Sequence, residues 1–194
     1  MNNRDQILKA VANGKPAPKP LSLPDWSSIA PPPDLLVSFE QFVQAVGGEV
    51  LFLDNTEALQ QLISTEKASG GFIINRAGEG GVVDEVPDSP RLLESVKIAY
   101  IRGSIGVAEN GAIWVDESAM GNRILPFICE QLVLVLRENE LVADMHEAYR
   151  RVQINREGFG VFIAGPSKTA DIEQSLVIGA HGPKGLTVVL LPAL

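Results

Sequence analysis

The sequence predicts an α/β domain with a largely parallel sheet and flanking helices. Between residues 34 and 76, segments with helical spacing of apolar residues alternate with short runs rich in β-branched residues, an order typical of strand–helix–strand units. Two later runs, Gln131–Leu136 and Leu186–Leu191, are apolar at nearly every position, as in strands buried on both faces. The length of 194 residues suits one domain with a sizeable core.

The N-terminal segment predicts a separate arm. Residues 5–12 place three apolar side chains at helical spacing, which favours a short amphipathic helix. Residues 14–33 contain seven prolines, which forbid a continuous helix or sheet. We therefore predict an N-terminal arm with a proline-rich linker at 1–33 and an α/β domain at 34–194. Docking of the arm on a partner, on a second copy or on its own domain is compatible with this pattern.

The elements that follow the linker can be placed in order. The pattern predicts a helix at 35–46, a buried strand at 50–53, a helix at 55–69 and a strand at 72–74. Gly47-Gly48 and Gly70-Gly71 are typical helix ends, and Asn55 or Thr56 can cap the second helix. Residues 76–90 are glycine-rich and acidic without periodicity, so we predict a mobile loop that can cover a site.

Residues 103–115 predict a β-hairpin. Two β-rich pieces flank Asn110-Gly111, a pair that readily adopts positive φ in tight turns. Glu109 lies beside this turn, where a carboxylate at the rim of a sheet can act as a nucleophile or base. A solvated turn carboxylate is the alternative, and the residue chemistry alone leaves both open.

The middle of the chain carries two charged features. Arg123 follows a Gly-Asn turn, where a guanidinium can bind a carboxylate or phosphate through two hydrogen bonds. A surface ion pair is the commoner role for such an arginine. Residues 144–152 predict a helix whose outer face pairs Glu147 with Arg151 at i,i+4 spacing.

The most informative segment lies near the C-terminus. Residues 165–173 (GPSKTADIE) and 179–183 (GAHGP) lie between two apolar, β-rich runs, so the pattern predicts a strand, a helix and a strand. A helix that begins at Ser167 or Thr169 leaves backbone N–H groups unpaired, which favours an anion-binding turn. A plain helix cap, with acids placed by the helix dipole, explains the same residues.

Helical spacing separates the two acids of this segment. It places Glu173 on the apolar stripe, where a carboxylate must be paired, hydrogen-bonded or protonated, and Asp171 among polar residues. Glu173 is therefore either a structural tie or a functional group. His181 is predicted to end the helix, with Gly182 and Pro183 stopping it.

These motifs define a candidate site. Glu109 is the candidate catalytic residue. The candidate ligand- or anion-binding residues are Gly165, Ser167, Lys168, Thr169, Asp171, Glu173, Gly111 and Arg123. No metal site is predicted, because His146 and His181 are the only histidines and neither has zinc-ligand spacing.

Composition argues against several functional classes. A net charge of −8 and a pI near 4.8 argue against nucleic-acid binding and against an anionic membrane surface. Gly160 and Gly165 have the spacing of a nucleotide-binding P-loop, but Pro166 occupies its lysine position. Cys129 is the only cysteine, so this chain alone cannot hold an all-cysteine iron–sulfur cluster. With no signal sequence or span-length apolar run, we expect a cytoplasmic protein.

Three motifs together resemble one known family, the LUD domain family, over roughly residues 98–191. They are the Glu109-Asn110-Gly111 turn, the Ser167–Glu173 run and the His181-Gly182-Pro183 end. The resemblance implies a fold like that of ribose-5-phosphate isomerases and CoA-transferases. It also implies participation in the cytoplasmic oxidation of L-lactate to pyruvate with iron–sulfur partner subunits. One position departs from the family pattern, because Asn110 stands where the family usually has threonine.

Two main functions remain open at this point. The first is a subunit without its own redox centre in such a lactate-oxidising system, with the iron–sulfur clusters on partner subunits. The second is a free-standing CoA-transferase-like or sugar-phosphate-binding enzyme that uses Glu109 as its catalytic carboxylate. A sensing subunit that binds a ligand without turnover is a third. A small anionic ligand and a homo-oligomer are compatible with each of them.

Overall fold

The N-terminal arm belongs to a compact unit of its own. The computed structural model describes residues 2–16, 34–79, 81–152, 158–169 and 177–193. Its contacts divide the chain into two units, 1–30 and 31–194. The first unit contains helix α1 (Asn3–Gly14), which has no buried residue. The predicted arm helix is therefore present, whereas most of the predicted linker lies outside the described residues.

The second unit contains the remaining elements. Its helices are α2 (Leu35–Ala45), α3 (Thr56–Ala68), α4 (Pro90–Leu93), α5 (Glu117–Met120), α6 (Leu125–Ile128) and α7 (Met145–Arg151). Its strands are β1 (Glu49–Phe52), β2 (Phe72–Arg76), β3 (Val96–Arg102), β4 (Ile105–Val107), β5 (Ile113–Asp116), β6 (Gln131–Arg137), β7 (Leu141–Val142), β8 (Gly160–Ile163), β9 (Lys168–Thr169), β10 (Val177–Ile178) and β11 (Gly185–Leu191). Where the chain is described, no helix is both long enough and apolar enough to cross a bilayer.

A five-stranded parallel sheet forms the centre of this unit. Its strand order is β1-β11-β6-β3-β2, and every neighbouring pair is parallel. The predicted α/β class with a largely parallel sheet is thus confirmed. The predicted burial of the first strand is wrong, because β1 has a neighbour on one side only and exposes Leu51 and Phe52. An apolar run fits a sheet edge as well as a sheet centre, so the pattern could not separate them.

A second sheet, in the order β7-β4-β5-β8, packs against the first. The antiparallel β4–β5 pair is the predicted hairpin. Ile113 and Val115 of β5 share a buried cluster with Leu134 and Leu136 of β6, and Phe39 of α2 joins them. The main core therefore lies between the two sheets.

Helix α3 covers the opposite face of the parallel sheet. Asn55 caps it by accepting a hydrogen bond from the backbone N–H of Ala58 at 2.8 Å, as the sequence predicted. Leu59 and Ile63 are buried against the sheet. The buried hydroxyl of Tyr100 donates to Glu66 of this helix at 2.5 Å, and burial raises the pKa of Tyr100 above its ordinary value. This bond satisfies a polar group that would otherwise be costly to bury.

Four charged side chains tie the carboxyl edge of the parallel sheet together. The Nε atom of Arg102 lies 3.2 Å from Glu79, and its Nη2 atom pairs with Glu140. The Nε atom of Arg137 donates to Glu79 at 3.0 Å, and its backbone N–H donates to Glu140 at 2.7 Å. The second Glu79 oxygen is buried 2.6 Å from Nη2 of Arg137, off the N–H direction, so that contact is an ion pair rather than a well-directed hydrogen bond. We call this set the edge network.

The loop after β2 is held by polar contacts. Asp84 accepts hydrogen bonds from the backbone of Asn75 at 2.8 Å and from Lys67 at 2.6 Å. Arg76 donates to the Asp84 carbonyl at 3.1 Å, and Asn122 donates to the Pro87 carbonyl at 3.2 Å. The segment predicted as a mobile loop is therefore anchored to α3, β2 and the segment after α5. The glycine-rich pattern could not show this, because its partners lie elsewhere in the chain.

Candidate functional site

The two halves of the C-terminal motif meet in space. Strands β9 and β10 pair antiparallel, with Thr169 opposite Val177. The Ser167 N–H donates to the Pro183 carbonyl at 2.9 Å, and the Gly179 N–H donates to the Ser167 carbonyl at 2.9 Å. The GPSK and HGP sequences therefore lie side by side, as a shared site requires.

The helix predicted to begin at Ser167 or Thr169 is wrong where the chain is described. Lys168 and Thr169 form strand β9, whose backbone pairs with β10. This turn therefore does not offer the unpaired backbone N–H groups of a helix N-terminus. His181 follows strand β10 instead of ending a helix. Residues 170–176, with Asp171 and Glu173, lie outside the described residues, so their predicted roles stay predictions.

Gly165 is packed too closely against α2 to carry a side chain. Its φ is +73°, and a Cβ there would lie 2.5 Å from the Val46 carbonyl oxygen at the end of α2. Lys168 donates a hydrogen bond from its ammonium to the same carbonyl. An ammonium has three donors, so Lys168 can also bind an anion. The turn between β8 and β9 is thereby fixed against the C-terminus of α2.

Gly111 makes a similar approach to the same helix. Its φ is +69°, and a Cβ there would lie 2.8 Å from the backbone nitrogen of Val43. Val43 and Val46 are three residues apart, which makes them neighbours along one side of a helix end. The hairpin turn and the β8–β9 turn thus both dock on the last turn of α2. The two predicted motifs are brought together by this helix.

Two adjacent pockets open beside the C-terminal motif, and we call them the two lobes of a cleft. The segments before β6 and β11 line it, so it lies at the amino edge of the parallel sheet. The first lobe has a volume of about 310 Å³ and is lined by Pro126, Phe127, Leu132, Phe162, Ile163, Ala164, Gly165, Pro166, Ser167, Lys168, His181, Gly182 and Pro183. The second lobe, of about 450 Å³, is lined by Ile124, Phe127, Ile128, Cys129, Glu130, Gly179, Ala180, His181, Gly182 and Lys184. Phe127, His181 and Gly182 belong to both lobes.

The first lobe offers hydrogen-bond donors to a small anion. The Ser167 hydroxyl, the Lys168 ammonium and the His181 ring supply such donors, and Ser167 is half-buried while the other two are exposed. Gly182 lets Ser167 come close, since a Cβ there would lie 2.8 Å from the Ser167 Cβ. Three predicted residues, Gly165, Ser167 and Lys168, thus line one cleft.

The side chains of Cys129, Glu130 and Lys184 line the second lobe and together carry little net charge. Glu130 and Lys184 form an ion pair at 3.2 Å. Burial raises the pKa of the Cys129 thiol to about 12, so it is neutral at physiological pH. Among the residues that the structure describes, no group of three His, Cys, Asp or Glu side chains is arranged to hold a metal ion.

Glu109 lies apart from the lining of this cleft. Its carboxylate accepts a hydrogen bond from the backbone N–H of Met145, the first residue of α7, at 2.8 Å. Asn110 holds the turn by accepting from the Ala112 N–H at 3.0 Å. The observed contact gives Glu109 a helix-capping role, and its catalytic role stays a prediction.

Arg123 is engaged with a surface carboxylate. Its Nε and Nη2 atoms donate to the two oxygens of Glu117 at 2.6 and 3.0 Å, and its guanidinium lies 5.0 Å from the centre of the Phe159 ring. The hydrogen bond from Arg123 lowers the pKa of Glu117, and the same bond raises the pKa of Arg123. Arg123 is absent from the lining of both lobes, so an anion-binding role would require it to leave Glu117.

The sequence did not indicate the aromatic walls of the cleft. Phe127 follows buried Leu125 and Pro126 in the single turn of α6, which leaves its ring 40% exposed. Phe162 packs on Trp114 with ring centroids 4.8 Å apart. Both aromatic residues lie in apolar runs, where a phenylalanine is more often part of the core.

Comparison with known proteins places the chain in a family. A family model described as the LUD domain matches residues 91–191, just over half of the chain and the whole lining of the cleft. The chain belongs to the LUD domain family. This confirms the resemblance drawn from the three motifs.

Several curated relatives of this LUD domain chain share a name. Lactate utilization protein C of Shouchella clausii is 36% identical over 104 residues, which cover 50% of this chain and 45% of that protein. The protein of the same name from Deinococcus radiodurans is 32% identical over 111 residues, covering 56% and 52%. That of Anoxybacillus flavithermus is 25% identical over 160 residues, covering 81% and 70%. The chain thus spans about half the length of the first two relatives.

A solved structure supports the LUD domain fold. The crystal structure of a DUF162 family protein from Deinococcus radiodurans has a TM-score of 0.58 and is 22% identical, covering 81% of this chain and 96% of that chain. At this identity the likeness concerns the fold. The more specific kinship with ribose-5-phosphate isomerases and CoA-transferases is compatible with it and stays a prediction.

We expect Glu109→Gln to lower the free energy of unfolding by only about 0.3–1 kcal/mol. The amide oxygen can still accept from Met145, whereas the favourable charge at the start of α7 is lost. Urea unfolding beside the exposed Glu138→Gln control measures this effect. If Glu109 only caps α7, the Glu109→Gln variant is also expected to keep any acyl-CoA exchange activity that the wild-type chain has. Loss of such exchange in a folded variant would instead support the nucleophile, because an amide cannot form the mixed anhydride.

Proposed function

We propose that this chain is a cytoplasmic component of a lactate-utilization system, and that it acts without a redox centre of its own beside iron–sulfur partner subunits that oxidise L-lactate to pyruvate. The observation that carries the proposal is the cleft, which is built entirely from the segment matched by the LUD domain family. The names of the curated relatives support the process. In this role the cleft binds the small carboxylate.

The number of cysteines supports placing the redox centre on partner subunits. Oxidation of lactate to pyruvate releases two electrons and two protons, and the electrons must pass to an acceptor. A cluster ligated by four thiolates needs four cysteines, and this chain has Cys129 alone. Burial keeps that thiol neutral and protonated. The electron acceptor therefore belongs to partners in this proposal.

The chemistry of the first lobe supports a carboxylate ligand. Ser167 and His181 line the lobe as hydrogen-bond donors, and Lys168 adds a positive charge beside them. Hydrogen bonds from such groups to an ionised carboxylate contribute about 1.5–3 kcal/mol each. The close packing of Gly165 and the Lys168 contact hold this turn in place on α2. Ser167 and Lys168 are thus presented by a turn that is packed against α2.

The proposal is tested by lactate-dependent dye reduction. Any iron–sulfur proteins found encoded beside this chain are purified and assayed with L-lactate, with and without it. We expect reduction to require the chain. Equal rates in its absence would contradict the proposed role.

Variants of the complete system test the cleft. Ser167→Ala and His181→Ala are each expected to lower lactate-dependent reduction at low lactate by about 10- to 100-fold, as loss of one hydrogen bond to a carboxylate implies. The exposed residues Ser64, on α3, and His146, on α7, provide the matched controls Ser64→Ala and His146→Ala, which are expected to retain activity. Activity unchanged in both cleft variants would remove the cleft from the proposal while leaving the requirement for the chain intact.

A further inference from the structure

The second lobe of the cleft has no role in the function proposed above. It is the larger of the two, with about 450 Å³ against 310 Å³. Cavities of roughly 300–1,000 Å³ hold drug-sized ligands, so the two lobes together greatly exceed the needs of a three-carbon acid. A ligand that reaches from the first lobe into the second would use this space.

The boundary between the lobes combines an apolar residue that is open to water, Phe127, with His181 and Gly182. Phe127 lines both lobes with its ring 40% exposed, and Ile124 and Ile128 continue the apolar surface into the second lobe. Contact of such side chains with water is unfavourable, and an apolar group placed against them contributes about 0.8 kcal/mol per buried methylene. The lobe therefore favours an apolar occupant.

The charges around the second lobe cancel. Glu130 and Lys184 are paired with each other at 3.2 Å, and Cys129 is kept neutral by burial. A second anionic group on the ligand would meet the negative charge of Glu130 beside Lys184. Ser167 and Lys168 line the first lobe only, whereas His181 lines both lobes. This asymmetry orients a ligand with its carboxylate in the first lobe and an uncharged end in the second.

We propose that the cleft takes 2-hydroxy or 2-oxo acids whose side chain is apolar and longer than methyl, with the chain lying along Phe127 into the second lobe. This inference rests on the proposed function for the carboxylate position and extends it to the class of substrate. Lactate and pyruvate then fill only the first lobe. Longer acids of the same class fill both.

A chain-length series tests the proposal on the full-length protein. Pyruvate, 2-oxobutanoate, 2-oxopentanoate and 2-oxohexanoate are titrated by calorimetry. We expect the affinity to rise about fourfold for each added methylene, the value that corresponds to 0.8 kcal/mol. An affinity that is flat or falls along the series would overturn the inference and leave the carboxylate site standing. Absence of binding for every acid, pyruvate included, would remove the carboxylate site itself and the inference with it.

A blocking variant locates the chain of the ligand. Ala180 lines the second lobe and is exposed, so Ala180→Phe fills the lobe without disturbing the core. We expect this variant to flatten the series while pyruvate binds as before. Ala68→Phe, at an exposed position at the end of α3, is the matched control and is expected to keep the fourfold steps. If Ala180→Phe keeps the fourfold rise in affinity for each added methylene, the alkyl group of the ligand lies elsewhere and the proposal is overturned.

A tryptophan supplies a second readout. Trp114 packs on Phe162, which lines the first lobe. The sequence has one other tryptophan, Trp26, so Trp26→Phe leaves Trp114 as the single reporter. Its emission is expected to change with every acid that occupies the first lobe, including pyruvate. A series that calorimetry detects without a response of Trp114 would show binding away from this cleft and overturn the assignment.

Discussion

Gly165→Ala is expected to lower the free energy of unfolding by about 2–5 kcal/mol. A side chain in the left-handed region costs about 1–2 kcal/mol, and Gly165 has a φ of +73°. The new Cβ would also lie 2.5 Å from the Val46 carbonyl oxygen, and such overpacking typically costs a further 1–3 kcal/mol. Because the contact is with backbone, no side-chain rotation relieves it. Equilibrium unfolding in urea measures the loss.

Gly70→Ala separates the two contributions. Gly70 also has a positive φ, of +84°, but a Cβ there meets nothing within 4 Å. It is therefore expected to cost only about 1–2 kcal/mol, the conformational part. Equal losses in the two variants would show that the approach of the β8–β9 turn to α2 is looser than described. The same result would weaken the assignment of Gly165 to packing.

Glu79→Ala is expected to lower the free energy of unfolding by about 2–4 kcal/mol. Glu79 pairs with both Arg102 and Arg137, whose guanidiniums are mostly buried at the carboxyl edge of the sheet. Removing one partner of a fully buried ion pair costs about 3–5 kcal/mol because the remaining charge has lost its compensation. The side chain of Glu79 is 22% exposed, so solvent reduces this figure.

The exposed neighbour Glu138 supplies the control for this network. Glu138→Ala removes the same charge from the same edge without breaking a described ion pair, and we expect a change within about 0.5 kcal/mol. Thermal unfolding of both variants at low and high salt compares them. A loss in Glu79→Ala no larger than in the control would mean that the edge network contributes little to stability.

The two edges of the parallel sheet differ in whether their polar side chains are already engaged with protein partners. At the carboxyl edge, where ligands of open α/β sheets usually bind, the guanidiniums of Arg102 and Arg137 are already engaged with Glu79, Glu140 and backbone carbonyls. A ligand there would compete with these bonds. At the amino edge, Ser167 and His181 line an open cleft. This contrast favours the amino edge as the candidate site.

Part of the candidate site could be predicted from local sequence. Gly165, Ser167 and Lys168 stood out because polar and backbone-special residues interrupt two apolar runs, and they do line the cleft. Their assumed reason was a helix start. The observed reason is a turn docked on α2, which is separated from them by more than a hundred residues. Local propensity could not reveal that partner.

For two other residues, the local sequence suggested a role that differs from their observed environment. Glu109 was the candidate catalytic residue because it lies beside the Asn-Gly turn, yet its described contact is with the start of α7. Phe127 resembled a core residue, yet it forms an exposed wall of the cleft. In both cases the environment comes from segments remote in sequence. The residue type alone is compatible with either role.

The sequence by itself determined the α/β class, the central buried strands, the hairpin, the start of α3 at Asn55 or Thr56 and the kinship with the LUD domain family. These features depend on periodicity, turn chemistry and motifs, which are properties of neighbouring residues. Only the tertiary structure decided that β1 is an edge strand, that Lys168–Thr169 is a strand, and that one helix end joins both motifs. Those features depend on backbone pairing and close approach between distant segments, which local patterns do not encode.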